Sequence, residues 1–121
     1  MQNVYINAIS KFLPNQPVSN DQMEHVLGFV NGSASRARGI VLRNNKIKSR
    51  YYAIDENGNP THNNSDLTVE AINQLLELGK ISKEKIDILS CGTSSPDQLL
   101  PSHASMVHGL WKNKPMEINS T

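Results

Sequence analysis

The chain has 121 residues, a formal net charge of +1 and a hydrophobic fraction of 37%, with a single cysteine. A single cysteine excludes an internal disulfide and fits a reducing compartment. Because no apolar stretch is long enough to cross a membrane either, we expect a cytoplasmic protein. The small net charge excludes strong attraction of the whole molecule to a polyanion such as nucleic acid.

The first third of the chain predicts a strand and a helix. Residues 4–10 have the composition of a β-strand, and prolines mark a turn after it. Residues 21–30 place apolar side chains at helical spacing, and Ser19 or Asn20 can cap that helix. Residues 33–45 have no regular period, and they predict a loop or a short irregular helical segment.

The middle of the chain predicts a strand, a turn and the most strongly patterned helix. Residues 47–54 alternate as a strand does, and an Asn-Gly pair predicts a turn at residues 55–60. Residues 63–66 can cap a helix whose apolar face extends to Leu78. Gly79 then suits the left-handed position that ends many helices.

The last third predicts a helical turn at residues 82–85, a buried strand at 86–91 and a polar loop. A helix should begin near Pro101, which suits the first turn of a helix, and it should end before Pro115. A second strand is predicted at residues 116–121. Strands that alternate with helices predict βαβ units and an α/β sheet covered on both faces.

Half of the twelve basic residues lie between positions 36 and 50, where there is no acidic residue. They are Arg36, Arg38, Arg43, Lys46, Lys48 and Arg50. Such a run favours contact with phosphate groups or with an acidic protein face. A solvated edge protected by charged side chains explains the run about as well.

Several residues that could carry chemistry are better explained by structure. Cys91 lies inside an apolar run, where a cysteine usually packs as a small hydrophobe and is not a nucleophile. His103 and His108 are five residues apart and do not share a helix face, so we assign no metal site. There is no glycine-rich phosphate loop and no Gly-x-Ser-x-Gly motif.

Four strings in order resemble the N-terminal part of a β-ketoacyl-acyl carrier protein synthase III, a condensing enzyme with the thiolase fold. They are residues 4–14, 47–52, 65–79 and 86–104. The last is the most specific, because it combines a strand, a loop rich in threonine and serine, a Pro-Ser pair and a helix. The resemblance implies an α/β, thiolase-like αβαβα layered fold, of which residues 1–121 are the first part of the N-terminal half.

The resemblance also implies an acyltransferase that performs a decarboxylative Claisen condensation in fatty acid or polyketide biosynthesis. It would use a thioester of coenzyme A or of acyl carrier protein as substrate, need no other cofactor, and act as a homodimer. The family's reactive cysteine follows the strand matched here by residues 116–121, so we expect all catalytic residues to lie beyond Thr121. This chain alone would then be inactive.

The resemblance further implies positions for substrate contacts. Ser94 would lie near the mouth of the active site, and Leu100 would reach into the acyl pocket of the partner subunit. The family's Arg-Thr-Gly-Ile string reads Asn-Asn-Lys-Ile at residues 44–47, and its tryptophan has no clear match. Arg43, Lys46 and Lys48 could still contact a phosphopantetheine or nucleotide phosphate, or the acidic face of a carrier protein.

Two other hypotheses remain. A small binding module could hold RNA or DNA on its basic run, although only Tyr51 and Tyr52 are close enough to stack on bases. The chain could instead be a structural fragment that is stable only beside a complementary chain. Its helix faces and last strand lack the partners needed to bury them.

Overall fold

The computed structural model describes residues 3–111 and the backbone of residues 119–120. The chain divides into two compact units. Unit 1 comprises Met1–Phe12 and His62–Thr121, and unit 2 comprises Leu13–Thr61.

Unit 2 is built from short elements. The strands β1 (Val18–Ser19) and β2 (Ser49–Arg50) pair antiparallel, with Val18 opposite Arg50. The helices are α1 (Met23–Leu27) and α2 (Arg38–Asn45). The predicted turn at residues 55–60 is confirmed, because Asp55 accepts backbone hydrogen bonds from Asn57 and Asn59 while Gly58 has a φ of +80°.

Three elements predicted for unit 2 differ from those in the structure. The helix predicted at residues 21–30 ends at Leu27, because Gly28 has a φ of +88°, which does not continue a helix. Residues 33–45, predicted as a loop or a short irregular helical segment, contain the regular helix α2, which ends where Lys46 turns left-handed at φ +57°. Of the strand predicted at residues 47–54, only Ser49–Arg50 forms a strand (β2), and Ile54 makes an isolated antiparallel bridge with Pro60.

Unit 1 contains the long helix α3 (Asn64–Glu77), a 3₁₀ turn at Lys83–Lys85, strand β3 (Ile88–Leu89), helix α4 (His103–Leu110) and strand β4 (Asn119–Ser120). Strands β3 and β4 are parallel, with Ile88 opposite Asn119. A parallel pair joined through α4 is the βαβ unit that the sequence predicted. The rest of the strand predicted at residues 116–121 lies outside the described residues.

Helix α3 forms as predicted. The side chains and backbones of Asn63 and Asp66 bond reciprocally in a capping box, and the first helical bond runs from Leu67 N to Asn63 O. Gly79 ends the helix in the left-handed region at φ +66° and donates to Leu76 O. The predicted turn at residues 82–85 is also confirmed as the 3₁₀ turn.

The core of unit 1 lies where α4 packs against α3. Its fully buried apolar side chains are Ala104, Val107 and Trp111, each at most 1% exposed. Helix α4 begins at His103 and not at Pro101, because the side chain of Ser102 caps it by accepting from Ser105 N. The helix ends at Leu110, and Pro115, before which it was predicted to end, lies outside the described residues.

Two predicted strands of unit 1 differ in the structure. Residues 4–10 form no regular element and pair with no described strand, and Val4 is 96% exposed. The hydroxyl of Ser10 donates to Ala71 O at 2.7 Å and so attaches this segment to α3. The strand predicted as buried at residues 86–91 is reduced to β3, where Ile88 is 66% exposed. A strand needs hydrogen bonds from neighbouring strands, and the described residues provide few such neighbours.

Candidate functional site

The chemistry-bearing residues of unit 1 collect where β3 ends. A cavity of about 300 Å³ opens there, between the end of β3, the first turns of α3 and His103 at the start of α4. Polar groups from Asn64, Thr68 and Thr93 line it beside Cys91. Ligand sites of α/β proteins lie outside the carboxyl ends of parallel strands, so the position of this cavity suits a binding site.

Residues 90–102 connect β3 to α4, and one carboxylate attaches this loop to α3. Asp97 Oδ1 accepts from Asn64 N at 2.8 Å, and Asp97 Oδ2 accepts from Ser65 N at 2.9 Å. The hydroxyl of Ser65 donates a further, short bond to Oδ2. These bonds, above all that from the Ser65 hydroxyl, lower the pKa of Asp97, and the nearby charge of His103 adds to the effect.

Asp97 completes the cap of α3. The first four N–H groups of a helix have no partner within it. Here Asp66 accepts from Asn63 N, Asp97 accepts from the amides of Asn64 and Ser65, and the side chain of Asn63 accepts from Asp66 N. All four donors therefore have partners, and two of them are held by a residue more than thirty positions away in sequence.

The side chain of Asn64 makes the second attachment of the loop. Its Nδ2 donates to Thr93 Oγ1 at 2.8 Å and to the carbonyl of Ser95 at 2.6 Å. Ser95 N also donates to Thr93 Oγ1, at 3.1 Å, which closes the turn. The loop from Thr93 to Asp97 is thus fixed to the first turn of α3 by hydrogen bonds at both ends.

Cys91 and His103 face the same cavity but differ in burial. Cys91 is half-buried, and this burial raises the pKa of its thiol, so the uncharged form prevails at neutral pH. His103 is 8% exposed, and its Nε2 lies 3.3 Å from Thr68 Oγ1. Within the described part of the chain its Nδ1 has no hydrogen-bond partner. An uncharged thiol fits the packing role predicted for Cys91.

The predicted contact residues of this loop are exposed. Ser94 lies on the surface of the attached turn, between Thr93 and Ser95. Leu99 is 90% exposed and Leu100 is 83% exposed, and the peptide bond between Leu100 and Pro101 is cis. The structure therefore presents both predicted residues at the surface of unit 1, and their contacts with substrate or partner stay predictions.

Two arginines of the basic run in unit 2 bond to side chains of the same unit. Arg38 Nη1 donates to Glu24 Oε2 at 2.9 Å, and the other oxygen of that carboxylate accepts from Ser35 N at 2.7 Å. Arg50 Nη2 donates to Asn20 Oδ1 at 2.6 Å. These two arginines hold the elements of unit 2 together, which the sequence pattern did not reveal.

The remaining predicted contact residues of unit 2 are Arg43, Lys46 and Lys48. All three are exposed, and among residues 3–111 none of them forms an ion pair. Arg43 lies in the last turn of α2, Lys46 ends that helix, and Lys48 precedes β2. The five predicted site residues are thus divided between the two units, with Ser94 and Leu100 in unit 1.

The sequence did not identify Asn64 and Asp97 as parts of the site. Asp97 follows a proline in a string of turn-forming residues, and Asn64 adjoins a helix cap, so local pattern explained both. Among the described residues, no group of three or more His, Cys, Asp or Glu side chains is arranged to hold a metal ion. None of the described helices is long and apolar enough to span a membrane.

Comparison with known sequences confirms the predicted resemblance. Beta-ketoacyl-[acyl-carrier-protein] synthase III of Chlorobaculum tepidum is 34% identical over 104 residues, which is 86% of this chain and 28% of that protein. The enzyme of the same name from Wolbachia pipientis wMel is 29% identical over 94% of this chain and 32% of its own length. No family model matches the chain.

The fold class is confirmed by a solved structure. A tetronic acid condensing enzyme, AbyA1, superposes with a TM-score of 0.66 at 25% sequence identity, over 83% of this chain and 29% of that one. This match supports the α/β, thiolase-like fold that the sequence predicted. The chain spans about 30% of the length of the curated relatives it matches.

Proposed function

We propose that this chain, whose sequence is related to the beta-ketoacyl-[acyl-carrier-protein] synthase III enzymes, forms part of the substrate-binding wall of an acyltransferase. The parent activity is a decarboxylative Claisen condensation in fatty acid or polyketide biosynthesis. The observation that carries the proposal is the 34% identity with the Chlorobaculum tepidum enzyme over 104 residues. The loop at the carboxyl end of β3, attached by Asp97, adds support because substrates of α/β enzymes bind at that edge.

In this proposal the loop and the exposed leucine contact the acyl group. Ser94 lies at the mouth of the site, and Leu100 enters the pocket of a second copy in a homodimer. The 83% exposure of Leu100 supports this role, because an apolar side chain that contacts so little of its own chain is available to another surface.

The cationic residues of unit 2 bind the carrier of the acyl group. Arg43, Lys46 and Lys48 would contact a phosphate of coenzyme A or of phosphopantetheine, or the acidic face of acyl carrier protein. Their exposure supports this role, whereas Arg38 and Arg50 are already bonded within unit 2. A phosphate or carboxylate in reach of such side chains forms charge-assisted hydrogen bonds.

The reacting groups of the condensation are proposed to lie outside residues 1–121. The raised pKa of Cys91 supports this assignment, because a thiol that stays protonated is a poor nucleophile. The chain alone would then lack the cysteine that accepts the acyl group and the groups that stabilise the enolate formed as carbon dioxide leaves the malonyl thioester.

A chimaera tests the proposal. Residues 1–121 would replace the aligned segment of the Chlorobaculum tepidum enzyme, and condensation of acetyl-coenzyme A with malonyl-acyl carrier protein would be measured for the chimaera and for this chain alone. We expect turnover by the chimaera and none by the chain. A folded but inactive chimaera would contradict the proposed role, and turnover by the chain alone would contradict the location of the reacting groups.

The roles of the basic residues need their own variants in the chimaera. Replacing Lys46 and Lys48 by glutamine should raise KM for the acyl thioester and leave kcat nearly unchanged, since these residues bind the carrier and not the reacting carbon. The matched control is Lys80→Gln, which removes an exposed charge from unit 1. Equal effects of the two changes would contradict a specific phosphate or carrier contact.

A further inference from the structure

We infer that Asp97 is a positioning residue that holds residues 93–100 in the conformation that lines the acyl-substrate site. The inference rests on the proposed function, because it assigns the loop to that site. Asp97 itself does not touch the reacting atoms. It acts through Asn64 and Ser65, whose amides it binds at the start of α3.

The loop has little else to order it. Every residue from Gly92 to Ser102 is exposed, so burial of apolar side chains does not fix its path. The loop's own hydrogen bond, from Ser95 N to Thr93 Oγ1, closes one turn only. Apart from Ser102, which caps α4, the bonds that join the described loop residues to a regular element run from α3 to Asp97, and from Asn64 to Thr93 and Ser95. Hydrogen bonding therefore determines where the loop lies.

A carboxylate suits this position better than any neutral side chain. Two backbone N–H groups and one hydroxyl converge on Asp97, so both of its oxygens must accept. The helix N-terminus adds a positive partial charge that favours an anion there. An amide offers one accepting oxygen, and its NH₂ group would face a backbone N–H. Asp97→Asn thus keeps the shape of the side chain, removes its charge and leaves at most one oxygen to accept from the two amides.

The attachment is expected to control the two exposed leucines. Leu99 and Leu100 lie two and three residues after Asp97, and both remain largely exposed to water. The position of the two leucines relative to α3 therefore depends on the attachment of Asp97, two or three residues away. If the attachment is lost, Leu100 no longer has a fixed position relative to α3. Leu100 is the side chain that the proposed function places in the acyl pocket of a second copy.

Hydrogen exchange of the full 121-residue chain tests the attachment without any activity. In Asp97→Asn the amides of Asn64 and Ser65 should exchange about tenfold faster or more, because each loses a charge-assisted partner. The amide of Asn63, which donates to Asp66, should change little. The control Asp87→Asn removes an exposed charge ten residues earlier and should change none of the three.

Acid titration of the same amides adds a second readout. The pKa of Asp97 is lowered in the folded chain, so its bonds stabilise the fold above the ordinary pKa of an aspartate and are lost as pH falls through the lowered value. The charged group that acts on it is His103 at the start of α4, and Asp66 lies in the same first turn of α3 but bonds to Asn63. The protection of Ser65 should disappear in this step in the wild type, and Asp97→Asn should lack the step.

Other variants keep the test decisive if Asp97→Asn fails to fold. Ser65→Ala removes only the hydroxyl bond, so it should accelerate exchange at Ser65 less than the loss of the carboxylate does. Asp97→Glu retains the charge and should recover part of the protection. Unchanged exchange in folded Asp97→Asn, or a loss of protection equal to that of Asp87→Asn, would overturn the inference.

The chimaera links the attachment to the acyl site. There, Asp97→Asn should raise KM for the acyl thioester on the order of tenfold, with a smaller change in kcat, because the wall of the pocket is misplaced while the reacting groups are not. An unchanged KM would overturn the positioning role. An inactive wild-type chimaera together with the expected hydrogen-exchange results would instead contradict the proposed function and leave the attachment of the loop established.

Discussion

Cys91 illustrates how the surroundings of a side chain decide its chemistry. It follows β3 by two residues and borders a cavity that also contains His103, an arrangement that could suggest an activated thiol. Burial acts in the opposite direction and raises the pKa of the thiol. A histidine near a cysteine therefore does not by itself make a nucleophile, and the degree of desolvation decides between the two readings.

Alkylation of Cys91 by iodoacetamide should be slow at neutral pH. The thiolate is the reacting form, so a raised pKa lowers the rate below that of a cysteine in the urea-unfolded chain, which serves as the control. The rate should begin to rise only above the ordinary titration range of a thiol. Alkylation of the folded chain as fast as the unfolded chain would contradict the structural role.

At this scale the sequence predicted the role of Cys91 but not that of Asp97. An apolar run on both sides of a cysteine is a local signal, and it indicates packing. The partners of Asp97 are the amides of Asn64 and Ser65 at the start of α3. Helix α3, strand β3 and part of a loop lie between them and Asp97 in sequence, so no local pattern identifies the contact. The same reason concealed the bond between Arg38 and Glu24, which are fourteen residues apart.

At the scale of elements, α4 carries the core of unit 1. Val107 is completely buried and Ala104 is 1% exposed, whereas Leu110, on the same helix, is 48% exposed. The buried side chains face α3, whose apolar face supplies the opposite side of the contact. The stability of unit 1 should therefore depend on the buried face of α4 far more than on its outer face.

Two alanine variants of α4 test this dependence. Val107→Ala leaves a cavity and should lower the free energy of unfolding by about 1–3 kcal/mol. Leu110→Ala removes a larger side chain that is already half in water, and it should cost less than about 1 kcal/mol. Urea titration followed by circular dichroism measures both. Similar losses for the two variants would contradict the packing of α4 described here.

The elements differed in how well their sequences predicted them. Helix α3 was predicted at both ends, because its capping box, its apolar period and Gly79 are all local features. The strand predicted at residues 4–10 failed because a strand needs hydrogen bonds from a neighbour, and the described residues offer none there. The helix predicted at residues 21–30 was too long. Its apolar spacing continues past Gly28, but the backbone of Gly28 does not continue the helix.

At the scale of the whole molecule, apolar surface is unusually exposed. Val4, Ile6 and Ile9 are 96%, 83% and 77% exposed, and Leu99 and Leu100 are exposed to a similar degree. Monomeric proteins rarely leave clustered apolar side chains of this size in water. The hypothesis that the chain is stable only beside a complementary chain stays a prediction, and this exposure is the observation in its favour.

The isolated chain should therefore self-associate as its concentration rises, and sedimentation velocity would show it. Replacing Val4 and Ile6 by threonine should weaken the association, because it removes apolar surface without adding charge. The control Asn7→Thr changes an exposed polar residue of the same segment and should have no effect. A chain that stays monomeric and melts cooperatively would contradict the fragment hypothesis.

The attachment of Asp97 to Ser65 also has a consequence for the order of folding. It joins residues 32 positions apart, and closing a loop of that length costs about 3 kcal/mol of chain entropy. The capping box of Asn63 and Asp66 joins neighbours in sequence, so helix α3 can form before the contact with Asp97 exists. We therefore expect the bond to Asp97 to form late in folding and to break early in unfolding, which would expose the first N–H groups of α3 to water before the helix unwinds.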